Sequence, residues 1–196
     1  MRRRLALLSP IAGLPALLRS PAASAAAASL YGLRDWWLDD GGEPVQLQRW
    51  RGQPVVLTME YSACRFICSA NWRRLQQVQA EADRRAQDLQ FVVLSIDPDN
   101  DSPATWRAYR REKGLQRRNW HFLTAARPAT ERAAAWLGVR WWLFDGHLMH
   151  DFKIVRLDAE GRVAAAMTSF DEPPGLLLDA VAARRAGEAA RTGDPT

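Results

Sequence analysis

The sequence predicts an α/β domain built on a mixed β-sheet, and three observations carry that expectation. Phe91-Val92-Val93-Leu94-Ser95-Ile96 is a continuous, β-branched-rich apolar run, the composition of a central parallel strand buried on both faces. Residues 71–86 repeat apolar side chains at Trp72, Leu75, Val78 and Ala82, the spacing of an amphipathic helix. Late in the chain, residues 152–157 and 162–167 read as two strands joined by Asp158-Ala159-Glu160-Gly161, a hairpin turn.

The elements follow in order. Trp36-Trp37-Leu38 and Val45-Gln46-Leu47 flank Asp39-Asp40-Gly41-Gly42 and predict a small N-terminal hairpin. Residues 54–60 are apolar enough for a buried strand, and the long helix of residues 71–86 comes soon after. The strand at 91–96 ends in the turn-forming run Asp97-Pro98-Asp99-Asn100-Asp101. Ser102-Pro103 then supplies an N-cap with proline at the first helical position, opening a helix that carries Trp106 and Tyr109 and stops near Gly114. Residues 120–123 suggest a short strand, Pro128 opens a helix that Gly138 closes, and residues 141–149 read as a loop leading to His150. Pro173-Pro174 starts a last helix over 176–185. The order is βαβα with parallel character, then a β-hairpin and a closing helix. It describes a thioredoxin-like α/β domain, a central mixed β-sheet flanked by helices with a small N-terminal β-hairpin.

That domain is assigned to residues 30–186, between a leader at 1–26 and a small, polar tail at 187–196 read as disordered. The leader has a basic start, Arg2-Arg3-Arg4, a short apolar stretch to Leu18 and a small-residue stretch at 22–26, the layout of an export signal. Pro10, Pro15 and Arg19 interrupt the apolar part well short of the roughly 20 residues a membrane-spanning helix needs, so cleavage and a periplasmic location are expected. The leader also accounts for the charge. The chain carries +5, from 27 basic and 22 acidic residues, but four arginines and no acidic residue lie in the leader. The rest is nearly neutral, which weakens a nucleic-acid reading, since that reading needs a basic face on the mature domain. The nine tryptophans are scattered and read as core packing.

The chain has two cysteines, Cys64 and Cys68, at the junction between the second strand and the long helix. On a helix, positions i and i+4 share a face, so both sulfurs can address one point. A helix N-terminus favours the thiolate through its free N–H groups. Such a pair can be a structural staple, a redox couple or a clamp for a soft metal ion.

Three segments resemble the Sco/SenC family of copper-binding cytochrome oxidase assembly proteins. They are Thr58-Met59-Glu60-Tyr61-Ser62-Ala63-Cys64-x-x-x-Cys68, Val93-Leu94-Ser95-Ile96-Asp97-Pro98-x-x-Asp101, and Asp145-Gly146-x-x-x-His150 followed by a strand and Asp158-x-x-Gly161. The resemblance runs from about residue 36 to 167. It implies a copper site, for Cu(I), Cu(II) or both, made by Cys64, Cys68 and His150. It further implies delivery of copper to the dinuclear copper centre of a haem–copper oxidase, or reduction of that centre's cysteines. The implied partners are the copper-centre subunit of the oxidase, other periplasmic copper chaperones and thiol–disulfide reductases, with membrane proximity only. The ligand chemistry agrees: Cu(I) prefers thiolates and accepts imidazole, whereas zinc usually takes four ligands. Both thiols must deprotonate, so affinity should fall at low pH. The chain departs from the family at Ser69, where proline is usual after the second cysteine, at Arg65-Phe66-Ile67, where Pro-Asp is common, and at Asp151, where a small polar residue is common.

His147 is a rival to His150, and Met149 carries a soft thioether that suits packing as well as copper. Met59 and His121 read as structural, and Asp97 and Asp101 as turn and cap residues with one of them supporting the site by a hydrogen bond. The arginines from 107 to 118 read as a solvated face or a docking surface for an acidic partner. The competing function is a metal-independent thiol–disulfide oxidoreductase using Cys64 and Cys68, for which His150 would be dispensable; that exchange is the one enzymatic activity the sequence leaves open. A peroxidase is disfavoured, because Tyr61 and Leu57 stand where threonine and proline are expected.

Overall fold

The computed structural model describes residues 28–63 and 68–179. Along the chain lie β1 (Trp36–Asp39), β2 (Pro44–Gln46), β3 (Val55–Glu60), α1 (Cys68–Arg84), β4 (Gln90–Ser95), α2 (Pro103–Lys113) and β5 (Trp120–Thr124). They are followed by α3 (Arg127–Leu137), β6 (Trp141–Phe144), β7 (His147–His150), β8 (Ile154–Leu157) and β9 (Val163–Met167). Seven strands form one sheet in the order β2-β1-β5-β4-β3-β8-β9. The centre, β3, β4 and β5, is parallel; β1 joins β5 and β8 joins β3 antiparallel. The sheet is therefore mixed, and the fold is thioredoxin-like, as the element order predicts. The leader, the tail and residues 180–185 of the expected last helix lie outside the described residues. That helix begins at 176 and is described to 179.

Every residue of β3 is buried, which explains its nearly unbroken apolar sequence: the strand is covered on both faces. Residues paired across strands share a face. Val56 pairs with Phe91, and Phe91 with Trp120; at the other end Glu60 pairs with Ser95. Trp72 of α1 meets Phe122 at 5.6 Å between ring centroids, Trp106 of α2 meets it at 5.2 Å, and Phe91 stacks on Trp120 at 4.9 Å. Hence α1 and α2 cover the face that carries Val56, Thr58 and Glu60. The buried Trp37, Trp50, Trp72, Trp106 and Trp120 account for most of the tryptophan content as core.

The caps match the sequence. Ser102 accepts a hydrogen bond from Thr105 N at 3.1 Å, and Gly114 and Gly138 end α2 and α3 in the left-handed conformation. The long helix begins at Cys68, three residues before the first apolar stripe position would place it. Its first turn, Cys68-Ser69-Ala70, carries no large apolar residue for a periodicity reading to register.

One expectation needs correction. Residues 141–149 are not a loop: β6 and β7 form a hairpin of their own, paired with each other and, among the described residues, with no strand of the main sheet. Its turn is Asp145-Gly146, both at positive φ, the two-residue turn that Asp-Gly encodes. The run Trp141-Trp142-Leu143-Phe144 hid this strand because it does not alternate. Trp142, Leu143 and Phe144 are exposed.

Several arginines between 107 and 118 bind the domain itself. Arg110 meets the Asp40 carboxylate at 2.7 Å and the Leu115 carbonyl at 2.9 Å, and Arg117 meets Asp83 at 2.8 Å.

Candidate metal centre

Cys64 lies outside the described residues. Cys68 is the first residue of α1, and its side chain lies outside them as well. The site is therefore built from what surrounds them. His150 ends β7, and Tyr61, three residues before Cys64, lies against it edge-on with 6.0 Å between ring centroids. The Tyr61 hydroxyl donates to the Leu148 carbonyl, fixing the isolated hairpin to the chain that enters the cysteine segment. A cleft beside it is lined by Tyr61, Ala63, Asp97, Trp141, Leu143 and His147.

The His150 ring is oriented by its own neighbour. Nδ1 lies 3.0 Å from the Asp151 carbonyl, an acceptor, so Nδ1 carries the proton and donates it there. Nε2 is left with its lone pair. It is buried and has no hydrogen-bond partner among the described residues. Burial lowers the His150 pKa from its usual 6.5, opposed by the Asp151 carbonyl and charge. A neutral imidazole with Nδ1–H on a backbone carbonyl and an open Nε2 is the arrangement of a metal-ligating histidine. Asp151, the departure noted above, accepts from Arg140 N at 3.1 Å and Nε at 2.9 Å, which closes the base of the hairpin and holds the Asp151 carboxyl below its ordinary range.

The sign of the histidine's pH effect follows. Its folded pKa lies below 6.5, so between the two values the unfolded chain binds more protons, and stability rises with pH across that window. A His150→Gln variant of the metal-free protein is expected to lose less stability than wild type when the pH is lowered through 6.5. Equal losses in denaturant titrations at several pH values would refute the buried neutral ring.

Strand alternation puts His147 and Met149 on the opposite face of β7 from His150. Met59 is core, and His121 is held by Gln90 at 2.9 Å and by the Trp50 ring. Asp97 is a turn former whose carbonyl accepts from Asn100 N and Asp101 N. Asp101 does more than cap. Fully buried, its carboxyl accepts from Ser62 N at 3.0 Å, Ser62 Oγ at 2.5 Å and Ser95 Oγ at 2.6 Å, so it pins the residues leading into Cys64 to the end of β4. Burial raises its pKa, while the two serines oppose the rise.

A sequence model of the SCO1/SenC family matches residues 33–183. The chain belongs to the SCO1/SenC family. A Sco1 homologue from Bacillus subtilis is 25% identical over 83 residues, spanning 42% of this SCO1/SenC chain and 43% of that relative. The copper-bound structure of ScoI from Arabidopsis thaliana superposes with a TM-score of 0.66 at 16% identity, covering 78% of this chain and 96% of the other. BsSco, described as having a disulfide switch and as a member of the Sco family of cytochrome c oxidase assembly proteins, superposes with a TM-score of 0.63 at 18% identity, covering 81% and 92%.

One residue of this family member escaped the sequence reading. Glu60 closes β3 and is wholly buried, and burial raises its pKa well above the usual 4.5. Its Oε2 stands 3.7 Å from His150 Nε2. At that distance the two are not hydrogen-bonded, and burial disfavours the charged form of each. The available signal was a glutamate ending an otherwise apolar strand, four residues before the first cysteine.

Proposed function

We propose that this SCO1/SenC protein is an exported, periplasmic copper chaperone. It would hold copper between Cys64, Cys68 and His150, and deliver it to the dinuclear copper centre of a haem–copper oxidase or reduce that centre's cysteines during assembly. The observation that carries the reading is the buried, unpartnered Nε2 of His150, its ring fixed by the Asp151 carbonyl and packed against Tyr61 at the entrance to the cysteine segment. The donor set fits copper: two thiolates suit Cu(I), and a neutral imidazole is an acceptable third ligand in either oxidation state. The copper-bound Arabidopsis relative and the oxidase-assembly role of the Sco family support the assignment. The leader supports export, and among the described residues no helix is long and apolar enough to cross a membrane.

The chain's own residues do the positioning. Asp101 sets the strand end from which the cysteine segment departs, and the Asp151 carbonyl keeps Nε2 as the lone-pair nitrogen. The test is anaerobic Cu(I) titration of the reduced protein against a chromophoric chelator. Binding near one equivalent is expected, weakened about 10–100-fold by His150→Ala. No binding, or no weakening in the variant, would falsify the reading. Thiol–disulfide exchange that proceeds without metal and is indifferent to His150→Ala would instead establish the oxidoreductase.

A further inference from the structure

We infer that Glu60 is an oxygen ligand of the same site, and that it biases the site toward Cu(II) over Cu(I). The inference rests on the copper reading above. A carboxyl that is wholly buried is normally hydrogen-bonded, because stripping it of water without compensation is costly. Neither Oε1 nor Oε2 of Glu60 has a hydrogen-bond partner among the described residues. The facing nitrogen, His150 Nε2, is equally unpartnered, and the 3.7 Å between it and Oε2 is too long for a hydrogen bond. A single cation between them, with Glu60 ionised, would satisfy both atoms at once. Two donors each about 2.1 Å from one metal, at angles from tetrahedral to trigonal, stand about 3.4–3.6 Å apart, close to the separation seen.

The sheet register agrees. Glu60 is on the face covered by α1, whose first residue is Cys68, so carboxylate, imidazole and the second cysteine's helix converge on one side of β3.

Charge decides which ion gains. Two thiolates with Cu(I) leave one net negative charge, and a carboxylate would make it two in a water-poor place. With Cu(II) the same three anions leave only one. Oxygen donors also suit the harder Cu(II) ion.

The test compares Cu(I) and Cu(II) binding to the reduced protein under anaerobic conditions, with the electron paramagnetic resonance spectrum of the Cu(II) form. Glu60→Gln is expected to weaken Cu(II) binding about tenfold or more and to alter the copper hyperfine splitting, while Cu(I) affinity stays within about twofold. The metal-free Glu60→Leu protein should unfold at a higher temperature than wild type, because an unpartnered buried carboxyl is removed. An unchanged Cu(II) affinity and spectrum, equal losses for both ions, or a lower unfolding temperature for Glu60→Leu each overturn the inference. If wild type binds neither ion, the copper reading falls with it; if binding depends on His150 but not on Glu60, this inference falls alone.

Discussion

Asp101→Ala is expected to lower stability by about 2–4 kcal/mol and to weaken copper binding in the same protein. The carboxyl accepts three hydrogen bonds from Ser62 and Ser95, in a place where water does not replace it. Its removal leaves a backbone N–H and two hydroxyls without an acceptor, each costing about 1–3 kcal/mol if it stays buried. The hydroxyls can rotate, and the carboxyl itself is costly to bury, so the net loss is less than the sum. Ser62 is two residues from Cys64, so the same change frees the strand end that positions the cysteine segment. Asp101→Asn keeps one acceptor oxygen and should fall between wild type and alanine. Urea denaturation of the metal-free proteins measures the first effect and chelator competition the second. An alanine variant within about 1 kcal/mol of wild type would show that the buttress is dispensable.

The second large effect is at Trp106, where alanine should cost about 3–5 kcal/mol, the usual range for emptying a large aromatic site. The side chain is fully buried, packs on Phe122 and Tyr109, and donates from Nε1 to Thr124 Oγ1 at 3.0 Å. Thr124 in turn donates to the Asp101 carbonyl at 2.6 Å. Trp106 therefore supports both the aromatic layer beneath α2 and the turn that presents Asp101. Trp106→Phe keeps the packing but not the donor, and should cost less than half as much. In a double-mutant cycle, Trp106→Phe and Thr124→Val should be non-additive, because the first removes the donor and the second the acceptor of one buried hydrogen bond. A loss below about 2 kcal/mol for Trp106→Ala in denaturant titrations would contradict the packing argument.

The fold was legible because its centre obeys simple rules. The apolar runs at 55–60 and 90–95 are strands buried on both faces, the stripe from Trp72 to Ala82 is a helix, and Ser102-Pro103, Gly114 and Gly138 mark the ends. The β6–β7 hairpin was missed because periodicity reports burial. A strand whose large apolar residues face solvent has no alternating pattern, and the Asp-Gly pair at its turn was the better guide. In the site, His150 could be named through the motif, but the Nδ1 contact with the Asp151 carbonyl and the buried, unpartnered Nε2 emerge only in the folded domain. Asp101 was half seen: Asp-Pro and Asn-Asp announce a turn, but nothing local reveals that Ser62 and Ser95 converge on the carboxyl from two other strand ends. Glu60 was invisible for a related reason. Its meaning depends on having no partner, a property of the assembled domain.

Among the described residues, the hairpin that carries His150 pairs with no strand of the main sheet, while Cys68 is the first residue of α1, more than eighty residues earlier in the chain. An ion gripped by Cys64, Cys68 and His150 would therefore act as a cross-link that closes a loop containing most of the domain. Such closures stabilise chiefly by restricting the unfolded chain, and more so for longer loops. Under the proposed ligand set, cargo and clamp would be one object: loading would add a second tether to the one that the Tyr61 hydroxyl already makes to the Leu148 carbonyl, and release would leave that hydrogen bond to hold the hairpin alone.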